Sequence, residues 1–509
     1  MRKVVISVFL VLILFFVSTK PVKAETITVT DTGNLGAGTL RQAVKDAADG
    51  DIINFDPSLN GQIITLSTSE INIDKSISIE GPGADLLAIS GNDQRRIFNV
   101  NDASSELRSV NISGLTIING AQFKGGAILN SENLVIDSCY IIFNSSTKFG
   151  GGVANEAILT IRNSDINNNS VYSDGPGVGF DVFGGGIFND FNSVLKIDKT
   201  TVSKNSAVTE GDNAFAHGGG IYNAEDSSAE ITNSTISKNS ARTQGIESNA
   251  VGGGIKNFSS SLIMINSTVA DNEISSVSGI PQGGGLNITT SSTDIVFSTI
   301  AFNSSLNGNF PTTGSGLFSF DSANFIKNTI VASNPDSFQP KNCDGPSNDN
   351  TFSGNISDDA SCGFTSVINP QLLPLNDYGG KTKTVALYET SPAIDVIASG
   401  QCNDEVFITR TNLRIIDTDQ RGIQRPQGPL CDTGSYEFST TANEPPADGG
   451  NEGDSGNGDG TGEDNSGAID LGNAGCSVSG PAYSTGVPIS LLFIPAFIFL
   501  RRKEFKRKM

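Results

Sequence analysis

The sequence lacks tryptophan, contains a single histidine and is poor in charged residues, which make up 17% of its 509 positions. The one histidine, His217, stands directly before a glycine triplet, where other repeats have Phe149, Phe183, Val251 or Gln282. We therefore interpret it as a packing residue, which excludes histidine-based catalytic triads, histidine-rich zinc sites and histidine general bases. The glycine triplets are not followed by the lysine and serine or threonine of a phosphate-binding loop, so a nucleotide site is excluded as well.

Positive charge is also scarce. The chain has 33 lysines and arginines against 54 aspartates and glutamates, and its formal net charge at pH 7 is -21. Nucleic acids and anionic membrane surfaces attract proteins through lysine and arginine, so neither is expected as a partner. Solubility outside the cell is the simplest explanation of such a charge.

The sequence does contain a long internal repeat, seen as three columns of aliphatic residues at intervals of about 25 to 36 residues. The first column is Ile128, Val153, Ile187, Ile221, Ile255, Leu286 and Leu317. The second is Ile136, Ile161, Ile197, Ile231, Met264, Ile295 and Phe325. The third is Ile141, Ile166, Val202, Ile236, Val269, Ile300 and Ile330. Each repeat supplies three short strands whose inward apolar residues can be buried only against the next repeat. We predict an all-β fold, a single-stranded parallel β-helix with three strands per coil, which the chirality of parallel crossovers makes right-handed.

Asparagine occupies a fixed place three residues after the third column, at Asn144, Asn169, Asn205, Asn239, Asn272 and Asn303. Stacked amide side chains can hydrogen-bond from coil to coil, so we expect a ladder here. Between this column and the next glycine triplet the repeats vary in length, over residues 170–183, 206–217, 240–251, 273–282 and 304–313. These segments should leave one corner of successive coils and form a lip, which is where solenoids usually bind.

The chain divides into six segments. Residues 1–24 have the basic start, apolar run and small final residues of a secretory signal peptide. We predict an N-terminal cap, with a helix over Thr39–Ala48, and the first coils over 25–108, then regular coils over 109–334 and a C-terminal cap over 335–438. Residues 439–475 are acidic and rich in glycine, and we expect them to be a disordered linker. Residues 476–509 form an anchor segment, in which the apolar run Val487–Leu500 precedes a basic, cytoplasmic tail.

Six cysteines in an exported chain indicate disulfides. The pairs Cys343–Cys362 and Cys402–Cys431 each close a short loop after the repeats stop, so we predict these two bonds and hence a disulfide-bearing C-terminal cap. Cys139 occupies a column otherwise filled by serine and threonine, and is expected to be a small packed side chain. Cys476 is then left without a partner.

Several motifs resemble those of bacterial surface proteins. The elements Gly218–Asn223 and Ser234–Asn239 resemble repeats of right-handed β-helix surface proteins and polymorphic outer-membrane proteins. Gly38–Val44 resembles the N-terminal cap motif of that group, without the cysteine of some members. A further set resembles the choice-of-anchor Q domain: Asp377–Gly380, Ser391–Asp395, Asp419–Gly422, and Arg425-Pro426 through Cys431-Asp432.

Proteins of this kind carry interchangeable C-terminal sorting signals. Gly475-Cys476, the apolar segment and the basic tail resemble the cysteine-containing signals that an intramembrane protease cuts before the protein is passed to the surface. The resemblance implies that Cys476 is the processing or lipid-attachment residue, and that the protein is held at the cell surface or outer membrane. A plain single-pass tail anchor with a free thiol is the alternative.

One group of acidic residues follows the glycine-triplet strands of three consecutive coils. It consists of Glu156, Asp190, Glu225 and Asp226. Stacking should bring these carboxylates within about 5 to 10 Å of one another. Like charges so placed raise each other's pKa or recruit a cation, so this group is a candidate Ca²⁺ site, and no other cofactor is predicted. The alternative is that the four are ordinary exposed acids at turns. A basic residue is missing from this face, because Lys199 and Lys204 belong to other strands.

Two functions of different class stay open. The first is a non-catalytic, surface-anchored β-helix that uses its lip for adhesion or glycan contact, with a polysaccharide or another cell-surface component as partner. The second is a tethered extracellular polysaccharide lyase or glycoside hydrolase, which requires a lysine or arginine facing the acids. The spacer, the anchor and the incomplete set of acid, base and metal favour the first.

Overall fold

The structure, a computed structural model, describes residues 24–174, 180–307, 313–335, 341–345, 354–398, 402, 406–407, 413–414 and 416–439. The signal peptide except Ala24, the linker except Ser439, and the anchor segment with Cys476 lie outside the described residues. Within the described ranges no helix is long and apolar enough to cross a membrane.

Three parallel sheets wind together and correspond to the three predicted columns. The ten strands of sheet 1 are Ile71–Ile73, Phe98–Val100, Ile128–Asn130, Val153–Asn155, Ile187–Asn189, Ile221–Asn223, Ile255–Phe258, Leu286–Thr289, Leu317–Phe320 and Cys343–Asp344. The eleven strands of sheet 2 are Thr26–Val29, Ile52–Phe55, Ser78–Glu80, Ser109–Ser113, Asn133–Asp137, Ile158–Arg162, Val194–Asp198, Ser228–Thr232, Ser261–Ile265, Ser292–Val296 and Ala323–Lys327. The twelve strands of sheet 3 are Gln62–Thr65, Leu87–Ser90, Thr116–Ile118, Tyr140–Ile142, Asp165–Asn167, Thr201–Ser203, Thr235–Ser237, Thr268–Ala270, Thr299–Ala301, Ile330–Ala332, Ile356–Ser357 and Ser366–Val367. Each described strand pairs with the strand one coil away, so the chain is a parallel β-helix, as predicted.

The predicted columns are direct neighbours along the stack. Ile187, Ile221 and Ile255 pair with one another in sheet 1 and are fully or almost fully buried. The same register holds down the second and third columns as far as Ile295 and Ile300. Successive coils therefore share one apolar core, which buries what no single coil could bury.

The last coil corrects two residues of the prediction. Ile295 pairs with Ile326 and not with Phe325, and in sheet 3 Val331, not Ile330, continues the third column. Each wrong choice lies one residue from the right one. Both members of each pair are apolar, so hydrophobicity alone could not fix a register that alternates with every residue.

Two asparagine ladders run inside the coils. In the predicted ladder, the amide Nδ2 of each asparagine donates to the Oδ1 of its counterpart one coil on, at 2.8–3.0 Å, from Asn144 to Asn334. A second asparagine ladder was not predicted. In it, the amide Nδ2 of each asparagine donates to the Oδ1 of the asparagine one coil on, at 2.7 Å. Its members are Asn130, Asn155, Asn189, Asn223 and Asn257. All these amides are buried, so each bond satisfies polar groups that water cannot reach.

A column of hydroxyl side chains runs along the turn between sheets 2 and 3. Its serines and threonines each accept the backbone N–H of the corresponding residue one coil earlier. Cys139 begins this column as a buried free thiol, the small packed side chain that was predicted. Burial raises the pKa of this thiol to about 12, which keeps it protonated and unreactive.

The variable segments form a lip that carries a sheet of its own. The strands of this lip sheet are Ala121–Lys124, Ser145–Phe149, Ser170–Ser173, Val182–Phe183, Ser206–Thr209, Phe215–His217, Ser240–Thr243, Asn249–Val251, Glu273–Ser276 and Ser304–Asn307. Small side chains such as Ala207 and Ala216 fill a separate apolar core within it. The chain returns from the lip to sheet 1 through the glycine triplets. Gly218 has a φ of 62°, and a Cβ on Gly219 would lie 2.4 Å from the carbonyl oxygen of Gly253.

The N-terminal end is closed by a helix over Leu40–Asp46, slightly shorter than the predicted Thr39–Ala48. Thr39 caps it, because its hydroxyl accepts the backbone N–H of Gln42. Leu40, Ala43 and Val44 are buried in the core of the first coils. A short 3-10 turn, Pro57–Leu59, follows.

At the C-terminal end both predicted disulfides are present, Cys343–Cys362 and Cys402–Cys431. Cys362 ends a 3-10 turn, Ala360–Cys362, and lies in the main core with Cys343. Two antiparallel pairs follow, Leu372–Asn376 with Thr384–Leu387 and Val406–Phe407 with Leu413–Arg414.

The C-terminal cap covers a side of the stack as well as its end. Thr268, on the outer face of sheet 3, hydrogen-bonds the hydroxyls of Thr384 at 3.0 Å and Ser435 at 2.9 Å. The amide of Gln420 donates to the Thr235 hydroxyl, one coil earlier, at 2.9 Å. The cap is thus fastened to regular coils through buried polar contacts.

A charged network lies inside the cap. The guanidinium of Arg425 donates to Glu437 Oε2 and to the Gly434 carbonyl, both at 2.7 Å, and neither side chain of the ion pair is exposed. Asp432 donates its backbone N–H to the same Glu437 oxygen at 3.1 Å. Burial, and then the negative charge of Glu437, raise the pKa of Asp432 to about 7.

This shift makes stability depend on pH. An aspartate in the unfolded chain has a pKa of about 3.9, so the folded protein takes up a proton at Asp432 between that value and about 7. The free energy of unfolding should therefore decrease as pH rises from about 4 to about 7, by up to about 4 kcal/mol from this group. Asp432→Asn should remove that part of the slope, as measured by chemical denaturation across this range. Asp226→Asn, at an exposed residue, should keep the slope of the original chain, and equal slopes for all three proteins would contradict the assignment.

Candidate functional site

The predicted acids lie at the ends of sheet 1 strands, and a lysine bridges two of them. Lys124 Nζ lies 2.6 Å from Glu156 Oε1 and 2.6 Å from Asp190 Oδ2. The Ser131 hydroxyl donates to the other oxygen of Glu156, and the backbone N–H of Phe191 donates to the other oxygen of Asp190, both at 2.8 Å. All four carboxylate oxygens of this pair thus have a partner.

Lys124 corrects the expectation that no basic residue faces the acids. It lies on the lip strand Ala121–Lys124 and pairs with Phe149 of the next coil. It therefore stands in the column before the glycines that also contains Phe183 and His217. Burial lowers the pKa of Lys124, but hydrogen bonds and attraction from Asp190 and Glu156 outweigh it, so that the pKa is raised and the amine stays charged.

Glu225 and Asp226 are exposed turn residues one coil further on. The backbone N–H of Asp226 donates to the Ser259 carbonyl at 2.9 Å. Across the described ranges, no group of three or more histidine, cysteine, aspartate or glutamate side chains is arranged to hold a metal ion. The Ca²⁺ site on Glu156, Asp190, Glu225 and Asp226 stays a prediction.

Aromatic rings fill the corner between the lip sheet and sheet 1. On the lip side, the rings of Phe149 and Phe183 stack at 5.3 Å and those of Phe183 and His217 at 4.8 Å, nearly parallel in both cases. On the sheet 1 side, Phe188 and Tyr222 stack at 5.6 Å. We call these five residues the aromatic corner. The two columns contact each other, with 4.8 Å between the ring centroids of Phe149 and Phe188.

Two more exposed rings extend the aromatic corner. Phe123 meets the edge of Phe149 at 5.9 Å and is 55% exposed. Phe215 stacks on His217 at 5.4 Å and is 37% exposed. His217 thus lies between two phenylalanine rings, and burial, together with the charge of Lys256, lowers its pKa to about 3. His217 is therefore a neutral ring packed in the lip-side column, at the position before the glycine triplet where the repeat pattern predicted a packing residue.

Lysine side chains lie against these rings. Lys124 Nζ is 5.6 Å from the Phe149 ring centroid and 5.4 Å from that of Phe188. Lys148 lies 5.4 Å from Phe149. Lys256 is buried on the strand after Tyr222, 5.5 Å from the Phe258 ring, and burial lowers its pKa to about 7. Phe188 and Tyr222 are buried, whereas the lip-side rings Phe149, Phe183 and His217 are partly exposed. The lip side of the corner, with its adjacent cations and carboxylates, is therefore a surface that is both apolar and able to form directed hydrogen bonds.

No family model matches the chain, and no curated protein matches it. Three solved structures are similar in fold. A pectate lyase, Pel9A, is 12% identical with a TM-score of 0.37, over 81% of this chain and 96% of its own. A complex of XylC with xylose is 8% identical with a TM-score of 0.38, over 81% and 98%. The A-module of the Azotobacter vinelandii mannuronan C-5 epimerase AlgE6 is 10% identical with a TM-score of 0.25, over 65% and 99%. At such identities the likeness concerns the parallel β-helix alone.

Proposed function

We propose that the protein is exported and binds a glycan along the aromatic corner, as a non-catalytic surface β-helix. The two stacked columns of rings are the observation that carries this proposal. A sugar ring has an apolar face of C–H groups and a rim of hydroxyls. Binding sites for such ligands combine aromatic surface with a few placed polar groups, as Lys124, Glu156 and Asp190 are placed here.

The geometry of the corner suits a polymer more than a small molecule. The rings recur at the spacing of the coils, so successive units along a chain would meet similar side chains. Two disulfides are typical of proteins outside the cytosol, where polysaccharides are found. Anchoring through a choice-of-anchor Q region and Cys476 is part of the proposal, and mass spectrometry of the mature C-terminus would test it.

The exposed rings at the corner should contribute most to binding. Phe123→Ala and Phe215→Ala should each weaken polysaccharide binding by about tenfold, because exposed aromatic side chains dominate such contacts. Affinity electrophoresis on a panel of neutral and acidic polysaccharides measures this. Phe320→Ala is a matched control, since Phe320 is also 55% exposed but lies three sheet 1 strands beyond Tyr222.

Two results would contradict glycan binding at this surface. The first is that no polysaccharide of the panel is retained. The second is that Phe320→Ala weakens retention as much as Phe123→Ala does, since binding would then depend on general surface hydrophobicity. Thermal melting of each variant should stay close to that of the original chain, because Phe123 and Phe320 are more than half exposed and Phe215 is more than a third exposed.

A lyase or hydrolase is the second candidate, and Lys124 is the observation that favours it, since it faces two of the acids. The raised pKa of Lys124 is unfavourable for a base, because the amine stays protonated. Release of unsaturated products from acidic polysaccharides, followed by ultraviolet absorbance with and without EDTA, tests for a lyase, and release of new reducing ends tests for a hydrolase. Activity that disappears in Asp190→Asn would establish the enzyme.

A further inference from the structure

Two of the lysines beside the aromatic corner, Lys124 and Lys256, differ in whether a negative charge is paired with them. Lys124 is paired with two carboxylates, whereas Lys256 makes no ion pair with any residue in the part of the chain that the structure describes. Lys256 Nζ donates to Asn287 Oδ1 at 2.5 Å and to Thr289 Oγ1 at 2.6 Å. An ammonium group has three N–H donors, so one donor of Lys256 is unused by these contacts.

The groups around Lys256 do not supply a negative charge. Lys256 pairs in register with Tyr222 of the preceding strand and with Asn287 of the next. His217 is the titratable group that faces it from the lip strand, and it is neutral. Asp181, Asp190 and Glu225 act on Tyr222, whereas burial alone accounts for the lowered pKa of Lys256. A buried amine without a counter-charge is costly unless a ligand provides one.

We propose that Lys256 receives a carboxylate of the bound glycan, so that the ligand is a polysaccharide containing uronic acid. This inference rests on the proposed glycan binding at the aromatic corner and specifies its ligand. The carboxylate accepts the unused N–H of Lys256 in a charge-assisted hydrogen bond, and the adjoining rings hold the sugar face. Asn287 and Thr289 fix the position of the amine and so orient the bond.

Attraction by the overall charge of the protein cannot account for binding of an acidic polysaccharide. A chain with a net charge of -21 repels polyanions at long range, so retention of an acidic polysaccharide has to come from local contacts. Added salt should therefore strengthen or leave unchanged the binding of the acidic ligand, unlike simple ion exchange.

Binding should also be linked to a proton. Without ligand the pKa of Lys256 is about 7, and a bound carboxylate raises it. Affinity for the acidic glycan should be full below pH 7 and should fall by up to about tenfold per pH unit above it. The uronate carboxylate stays ionised from pH 6 to pH 8.5, so a change in affinity over this range reflects the protonation of Lys256.

The experiment compares uronic acid polysaccharides with their carboxyl-reduced forms, which keep the backbone and lose the charge. Polygalacturonate, alginate and glucuronoxylan, each in both forms, are titrated into the secreted protein by calorimetry at pH 6 and pH 8.5. We expect at least one acidic form to bind about tenfold more tightly than its reduced form at pH 6, with a smaller preference at pH 8.5. Lys256→Met should lose the preference. Lys196→Met, which removes an exposed lysine on sheet 2, should retain it.

The outcomes separate this inference from the proposed function. Equal binding of acidic and reduced forms overturns the role of Lys256 and leaves glycan binding in place. A preference that survives in Lys256→Met also overturns it. Failure of every polysaccharide to bind overturns both. Lys256→Met should fold normally, because it replaces a buried amine by an apolar side chain of similar length, and circular dichroism confirms this.

Discussion

Replacing Asn239 by alanine should destabilise the β-helix by on the order of 3 kcal/mol, although the change removes only a small side chain. The Asn239 amide Nδ2 donates to the Val202 carbonyl and to Asn272 Oδ1, both at 2.9 Å. Its Oδ1 accepts the backbone N–H of Asn205 at 3.0 Å. Alanine leaves these partners buried and unpaired, and each such group costs about 1–3 kcal/mol.

The effect should spread to the adjacent coils, because each coil contacts only its neighbours. Hydrogen exchange should show lost protection at the Asn205 and Asn272 coils, and thermal melting should show a lowered midpoint. Asn60→Ala is the matched control, since Asn60 is exposed and lies outside the ladders. A variant of Asn239 as stable as that control would mean that the ladder does not hold the coils together.

The fold followed from the sequence because one physical requirement repeats in every coil. An inward apolar residue must pack against another one coil away. Apolar residues therefore recur at the same position of each repeat, as at Ile187, Ile221 and Ile255. The prediction failed where two adjacent apolar residues competed, at Phe325 against Ile326. Asn334 could have decided it, since the ladder asparagine stands three residues after the third column and so selects Val331.

The candidate site was less accessible from sequence. The acids after the sheet 1 strands were identified because they follow the repeat, whereas Lys124 comes from a lip strand two coils before Asp190 and reaches it only through folding of the lip. The sequence did offer one signal, because Lys124 stands directly before a glycine pair, as Phe149, Phe183 and His217 stand directly before glycine triplets. The aromatic corner was missed because its two columns lie on different strands, and a variable segment gives no hint that it forms a sheet.

The second large effect is expected in the C-terminal cap. Arg425→Met should destabilise the cap by about 3–5 kcal/mol, because it leaves the carboxylate of Glu437 buried without its counter-charge. The negative charge of Asp419 adds repulsion to that carboxylate. The cap should separate from sheet 3 and become sensitive to limited proteolysis between residues 372 and 437, while the regular coils stay resistant.

The double variant Arg425→Met/Glu437→Gln distinguishes an unpaired charge from lost packing. If the buried charge is the cause, removing it should restore a large part of the stability and of the protease resistance, since a buried ion pair and its neutral replacement differ little. Arg162→Met provides the comparison at the surface, because Arg162 is half exposed and its pair with Asp137 should contribute less than about 1 kcal/mol. If the double variant were as unstable as Arg425→Met, the stacking of Arg425 on the Phe297 ring, at 4.4 Å, would be the dominant contact instead. The cap would then depend on packing against Phe297, which directly follows a strand of sheet 2.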